Sequence, residues 1–141
     1  MGIIPINRLY QSQGEWTTSP FESAIQAGQE VVSTPFSNRY YVSMQLIIYP
    51  YNRQEGEYTI AVAFAGDRAF VDSNTVIVKR IFKREDLVPH VSHGCDYADL
   101  DLRIARALVG KAIALKDAMD YDWRQLPKTK TPFNPKPPTR S

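Results

Sequence analysis

The sequence predicts a mainly β domain with one C-terminal helix, of the α+β class. We expect an antiparallel meander, small barrel or sandwich that is packed by the helix, with extended terminal arms. Apolar residues alternate with polar ones in residues 41–49 and 57–64, as in strands with one buried face. The apolar period becomes helical between about residues 97 and 121. A proline-rich segment follows, so we divide the chain into a β-rich domain, residues 1–126, and an extended arm, residues 127–141.

Several segments are rich in the β-branched and aromatic residues that favour strands. They recur at a step of about fifteen residues: EWTTS (15–19), QEVVS (29–33), QLIIY (45–49), IAVAF (60–64) and TVIVK (75–79). Prolines keep the same step in the first half of the chain, at positions 5, 20, 35 and 50. The residues around these prolines share little identity, so we expect a meander with loops of similar length rather than a repeat array. Proline suits such loops because it cannot donate a hydrogen bond to a central strand.

The predicted helix has an apolar stripe and a charged side. The stripe consists of Leu102, Ala105, Leu108, Val109, Ala112, Leu115 and Met119. The charged side carries Asp99, Arg103, Arg106 and Asp117. We expect Asp96 to be the N-cap, because its carboxylate can accept a hydrogen bond from the backbone N–H of Ala98 or Asp99.

Both histidines and the single cysteine of the chain stand just before this helix. The side chains there that can bind zinc are His90, His93, Cys95 and Asp96. A closed zinc site normally draws on two separated pairs of ligands, however, and the chain has no other Cys or His. A Cys–His nucleophile is a second alternative, but no oxyanion donor or orienting residue accompanies it. We therefore interpret the segment as the start of the helix, with Cys95 packed against Leu100, and predict neither a metal nor a cofactor.

A basic cluster lies in the segment VKRIFKRED. It consists of Lys79, Arg80, Lys83 and Arg84. With Tyr40, Tyr41 and Tyr49 expected on the sheet, these residues offer the charged groove and the stacking rings of a single-stranded nucleic-acid site. No RNP or KH pattern accompanies them. Lysines that protect an edge strand from aggregation explain the same residues, and we favour that interpretation.

Length and composition indicate one ordinary domain. The chain has 141 residues, of which 43% are hydrophobic, and its lone cysteine excludes an internal disulfide. The apolar start lacks the basic leader and longer apolar stretch of a secretory signal, and no run is long enough to span a membrane. We expect a cytoplasmic or virion location, with no membrane partner.

The terminal arm is basic, whereas the rest of the chain is slightly acidic. Residues 127–141 carry no acid, which leaves 13 of the 17 Lys and Arg residues and all 15 acids in residues 1–126, a net charge of −2. We expect the arm to become ordered only against a partner, since one apolar anchor cannot offset the entropy of fixing it. The predicted contacts are Phe133 as the anchor, with Lys128, Lys130, Lys136 and Arg140, and we expect the basic residues to meet an acidic surface or nucleic acid.

No phosphate-loop, dinucleotide, hydrolase or metalloprotease motif occurs in the chain, so we do not expect an enzyme. The sequence instead favours a structural or interaction subunit of a larger protein assembly, homo- or hetero-oligomeric, whose terminal segments lie across its neighbours. A virion component, such as a phage head, neck or tail protein, is the assembly that we expect. A single-stranded nucleic-acid-binding module is the first alternative, and a small metal-dependent or cysteine enzyme is the second.

Overall fold

The structure is a computed structural model, and it describes residues 3–9, 19–65, 76–88 and 100–123. Within these ranges one sheet strand and one helix come first, five consecutive strands of the same sheet follow, and two further helices end the described chain. The strands are β1 (Ile3–Ile4), β2 (Val31–Ser33), β3 (Phe36–Ser37), β4 (Ser43–Ile48), β5 (Glu57–Phe64) and β6 (Val76–Lys83). The helices are α1 (Pro20–Gln26), α2 (Arg84–Leu87) and α3 (Leu100–Asp117), and a 3-10 turn spans Ile6–Arg8.

An antiparallel meander forms the centre of the sheet. β4 pairs with β5 and β5 pairs with β6, both antiparallel, and β2 lies antiparallel on the other side of β4. The short β1 pairs parallel with β2 at the opposite edge, and β3 also pairs with β4. The predicted α+β class and the meander are confirmed. The parallel β1–β2 pair places this part of the N-terminal segment on the chain's own sheet.

The main core lies between one face of the sheet and the helices. Met44, Leu46 and Ile48 alternate on β4 as the period of two predicts, and each is almost fully buried. They share their cluster with apolar residues of the neighbouring strands and helices, including Phe21, Ile60, Val62, Val78, Ile104, Leu108 and Ala112. Removing this apolar surface from water supplies the main driving force for folding.

The opposite face of the sheet is also buried at its centre, which corrects the expectation of one buried face per strand. Ile47, Ala61 and Ala63 are at most 1% exposed and form a second, smaller cluster. Two buried polar side chains of β4 and β2 are hydrogen-bonded: Gln45 Nε2, on this face, donates to the Ser33 carbonyl at 3.0 Å, and Ser33 Oγ accepts from the Leu46 N–H at 2.9 Å. Buried polar groups that are hydrogen-bonded in this way cost the fold little.

Helix α1 begins where the sequence predicted the end of a strand, so the prediction of strand at Ser19 is wrong; residues 15–18 lie outside the described residues. Ser19 Oγ accepts from the Glu22 N–H at 3.1 Å, while Glu22 Oε1 accepts from the Ser19 N–H at 3.3 Å. This reciprocal capping box, with Pro20 in the first turn, starts the helix. The buried Glu22 carboxylate is also approached by Arg106 Nε of α3 at 3.5 Å.

Helix α3 is the expected packed C-terminal helix; residues 97–99 of the predicted span and the predicted cap Asp96 lie outside the described residues. Its buried stripe includes Ile104, whereas Leu102, which the sequence placed in the stripe, is only half-buried. The helix ends at Asp117, before the predicted end at Tyr121. No helix among the residues that the structure describes is long and apolar enough to cross a membrane.

Candidate functional site

Most residues of the predicted sites lie outside the part of the chain that the structure describes. This is the case for the zinc-competent group His90, His93, Cys95 and Asp96, and for the arm contacts Lys128, Lys130, Phe133, Lys136 and Arg140. Their roles stay predictions. Within the described ranges, no group of three His, Cys, Asp or Glu side chains is placed to hold a metal ion.

The basic cluster of Lys79, Arg80, Lys83 and Arg84 is described, and it is not one continuous patch. β6 is an edge strand among the described strands, and its alternation puts Lys79 and Lys83 on one face and Arg80 on the other. Lys83 Nζ lies 2.9 Å from Glu57 Oε2, and this hydrogen bond raises the pKa of Lys83. Arg84 is the first residue of α2, and its side chain contacts Asp101 of α3.

The tyrosines that completed the nucleic-acid hypothesis do not line the sheet either. Tyr40 and Tyr41 lie in the turn between β3 and β4, which corrects their predicted place on a strand. Tyr49 follows β4 and packs against the second cluster. Its pKa is raised, mainly by burial and to a smaller extent by the negative charge of the nearby Glu30. The basic and aromatic residues therefore do not form the single groove that this hypothesis expects.

The turn between β3 and β4 is instead fastened to the end of α3 by Asn38. Its Nδ2 donates to the carbonyl oxygens of Met119, at 2.9 Å, and Tyr121, at 2.6 Å. Its Oδ1 accepts from the backbone N–H of Tyr40, at 2.9 Å, and Val42, at 3.3 Å. One amide side chain thus fixes the turn and the segment after α3 relative to each other.

An ion pair adds a second connection between the same two segments. Arg39 Nε lies 3.0 Å from Asp120 Oδ2, and the Arg39 backbone N–H donates to Asp120 Oδ1 at 3.4 Å. The Arg39 guanidinium also lies over the Tyr40 ring, 5.1 Å from its centroid. Because both charged side chains are largely exposed, the pair contributes little to stability and keeps its charges available to a partner.

Tyr41 is the most unusual residue of this turn. Its backbone φ is +60°, the only positive φ at a non-glycine position among the described residues, and the residue is 87% exposed. Tyr121 is 55% exposed, and its ring meets the buried Trp123 edge-on at 5.4 Å. We call the surface formed by Arg39, Tyr40, Tyr41, Asp120 and Tyr121 the aromatic corner.

The chemistry of the aromatic corner is suited to binding. It combines three partly or largely exposed tyrosine rings with one cation and one anion. Tyrosine and arginine dominate the energetics of protein interfaces, because they bury large areas while keeping polar groups for hydrogen bonds. This surface is not among the sites predicted from the sequence. The available signal was the turn-forming Asn38 directly before a charged residue and two tyrosines.

Comparisons of the chain with protein-family models, with curated proteins and with solved structures found no match.

Proposed function

We propose that the chain is a structural subunit of a larger protein assembly, and that it contacts a second copy of itself through the aromatic corner. The main support for this proposal is that Tyr41 combines a positive φ with an exposed side chain. A bulky residue in the left-handed conformation costs about 1–2 kcal/mol. A ring that is 87% exposed returns little packing energy to the fold. Strain that the fold does not need is typical of functional positions.

The turn is also prepared for binding before a partner arrives. Asn38 fixes both sides of the corner through its hydrogen bonds to the turn and to the Met119 and Tyr121 carbonyls. A surface that is ordered in the free subunit loses less entropy on association, which raises affinity for the same contacts. Tyrosine side chains add rigid contact area at low entropic cost.

The charges of the corner favour a second copy as the partner. Arg39 and Asp120 lie side by side, so the surface carries one charge of each sign. In a twofold interface each patch faces its own copy, and Arg39 of one subunit can meet Asp120 of the other. The arm predicted from the sequence adds to this, because residues 127–141 are basic and residues 1–126 carry a net charge of −2.

Sedimentation velocity of the purified full chain over a concentration series tests the proposal. We expect a species of at least dimer mass whose fraction rises with concentration, and its loss in the Tyr41→Ala/Tyr121→Ala variant. Ile81→Thr is the matched control, since Ile81 is 54% exposed but lies on β6, away from the corner. A wild-type chain that stays monomeric, or a double variant that associates as the wild type does, would refute the proposal.

A virion remains the assembly class that the sequence analysis suggested for such a subunit. The nucleic-acid alternative has less support, because the four basic residues of its site divide between two faces of β6 and the start of α2.

A further inference from the structure

A cleft of about 470 Å³ lies between the end of α1, the loop from β4 to β5, and the starts of α2 and α3. Its volume lies within the range of small-molecule sites. The polar and aromatic residues that line it are Gln26, Tyr51, Arg53, Tyr58, Arg84 and Asp101. None of them belongs to the aromatic corner, so the cleft is a separate feature of the molecule.

Arg84 is one of the residues that line this cleft, and its backbone and side chain are both held. Its backbone N–H donates to the Gly56 carbonyl at 2.9 Å, which ties the start of α2 to the loop between β4 and β5. Its Nη2 lies 3.3 Å from Asp101 Oδ1, and its guanidinium lies 5.8 Å from the centroid of the Tyr51 ring. An arginine fixed in this way presents its planar donors in a defined direction.

Two tyrosines form an aromatic wall beside this guanidinium. The rings of Tyr51 and Tyr58 lie 4.8 Å apart at an interplanar angle of 36°. Burial raises the pKa of Tyr58, while its hydrogen bond and charge interaction with Arg84 oppose that rise. The Tyr58 hydroxyl therefore stays protonated at neutral pH and is a donor next to the cation.

The ion pair between Arg84 and Asp101 is the part of the cleft that can be exchanged. It consists of one contact of 3.3 Å, and the Asp101 side chain is 81% exposed against 35% for Arg84. An exposed carboxylate with a single contact is released at little cost. A ligand oxyanion could then take its place and add a second bond to the guanidinium, as phosphates and carboxylates commonly do.

We propose that this cleft binds a small ligand in which an aromatic ring carries a phosphate or a carboxylate group. Arg84 holds the anion, the Tyr58 hydroxyl donates to it, and the wall of Tyr51 and Tyr58 contacts the ring. Arg53 at the rim adds a second positive charge, so the cleft keeps a net positive charge despite Asp101. This site does not depend on the proposed self-association.

Titration calorimetry of the full chain at low ionic strength tests the site with defined probes. Phenyl phosphate and benzoate represent a ligand with a phosphate and one with a carboxylate, and inorganic phosphate, acetate and phenol represent the separate anions and the ring. We expect saturable binding of phenyl phosphate or benzoate, at least about tenfold tighter than either part alone. In the NMR spectrum of the wild type, the Arg84 Nε–H signal should move with the same saturation curve.

Three substitutions separate a ligand site from a merely structural ion pair. Arg84→Gln should weaken binding about tenfold or more, because it removes the charge-assisted bonds. Asp101→Asn should tighten binding severalfold, because the competing carboxylate becomes neutral. Arg80→Gln changes an arginine of the preceding strand outside the cleft and should leave binding unchanged.

The proposal is overturned if neither phenyl phosphate nor benzoate binds saturably, or if they bind without moving the Arg84 Nε–H signal. It is also overturned if Asp101→Asn leaves the affinity unchanged or weakens it. The wild-type NMR titration decides the question even if Arg84→Gln does not fold.

Discussion

Replacing Asn38 by alanine should destabilise the domain strongly, because one side chain joins segments about eighty residues apart. The substitution removes two hydrogen bonds to carbonyl oxygens after α3 and two from backbone N–H groups of the turn. A protein hydrogen bond contributes about 0.5–1.5 kcal/mol net, with exposed ones at the lower end. Two of these bonds are part-buried and two involve exposed groups, so we expect a loss of about 2–3 kcal/mol.

Asn52→Ala is the matched control for this substitution. Asn52 is also a turn asparagine, and its Oδ1 accepts from the N–H groups of Gln54, at 3.0 Å, and Glu55, at 3.2 Å. These bonds are exposed and local, so the loss should be only about 0.5–1 kcal/mol. Asn38→Asp should be at least as destabilising as Asn38→Ala, because it keeps the acceptor for the turn but sets a carboxylate oxygen against the carbonyl oxygens of Met119 and Tyr121.

Urea unfolding of the four proteins, followed by circular dichroism, measures these differences. In thermal unfolding, the Tm of the Asn38→Ala variant should be roughly 8–12 °C below that of the wild type. If Asn38→Ala is no more destabilising than Asn52→Ala, the connection between the turn and α3 does not exist in solution. The pre-organised aromatic corner would then lose its physical basis.

Two further stability predictions concern single residues. The Tyr41→Gly variant should be about 0.5–1 kcal/mol more stable than Tyr41→Ala in urea unfolding. Glycine adopts the positive φ without strain, and this gain exceeds the cost of its larger unfolded-state entropy. Equal stabilities of the two variants would contradict the left-handed conformation at this position. The Ser19→Ala variant should lose about 1 kcal/mol of unfolding free energy, because the Ser19–Glu22 capping box is lost, and Ser19→Thr should retain most of that stability. An unchanged unfolding midpoint for the alanine variant would show that the capping box does not stabilise α1.

Local patterns in the sequence predicted the parts of the fold that local patterns determine. The alternation in residues 41–49 and 57–64 identified β4 and β5, and the helical period identified α3. The burial of Ala61 and Ala63 on the second face was missed because alanine fits a buried or an exposed position equally well. The parallel pair of β1 and β2 was missed because pairing between strands distant in sequence leaves no local period.

Helix α1 could have been predicted. Ser19, Pro20 and Glu22 form the sequence signature of a helix start, whereas the fifteen-residue step of the prolines favoured a strand at this position. Pro20 opens a helix, whereas Pro35 and Pro50 lie in connections between strands, so this step has no single structural meaning.

The candidate sites were less predictable than the fold. The aromatic corner joins the turn at residues 38–41 to the end of α3, and the cleft draws on the ends of four elements. Neither arrangement has a characteristic spacing in the sequence, because each depends on tertiary contacts between distant segments. The sequence allowed a turn to be predicted at Asn38, but not the hydrogen bonds from its side chain to the carbonyl oxygens of Met119 and Tyr121.

The most direct test of self-association through the aromatic corner is a charge-reversal series measured by sedimentation velocity. We predict that Arg39→Glu and Asp120→Arg each weaken association by like-charge repulsion across the twofold interface, and that the Arg39→Glu/Asp120→Arg double variant restores it. Urea unfolding of the same variants checks that each remains folded. Single reversals that leave the association constant unchanged, or a double variant no better than the folded single ones, would contradict the account.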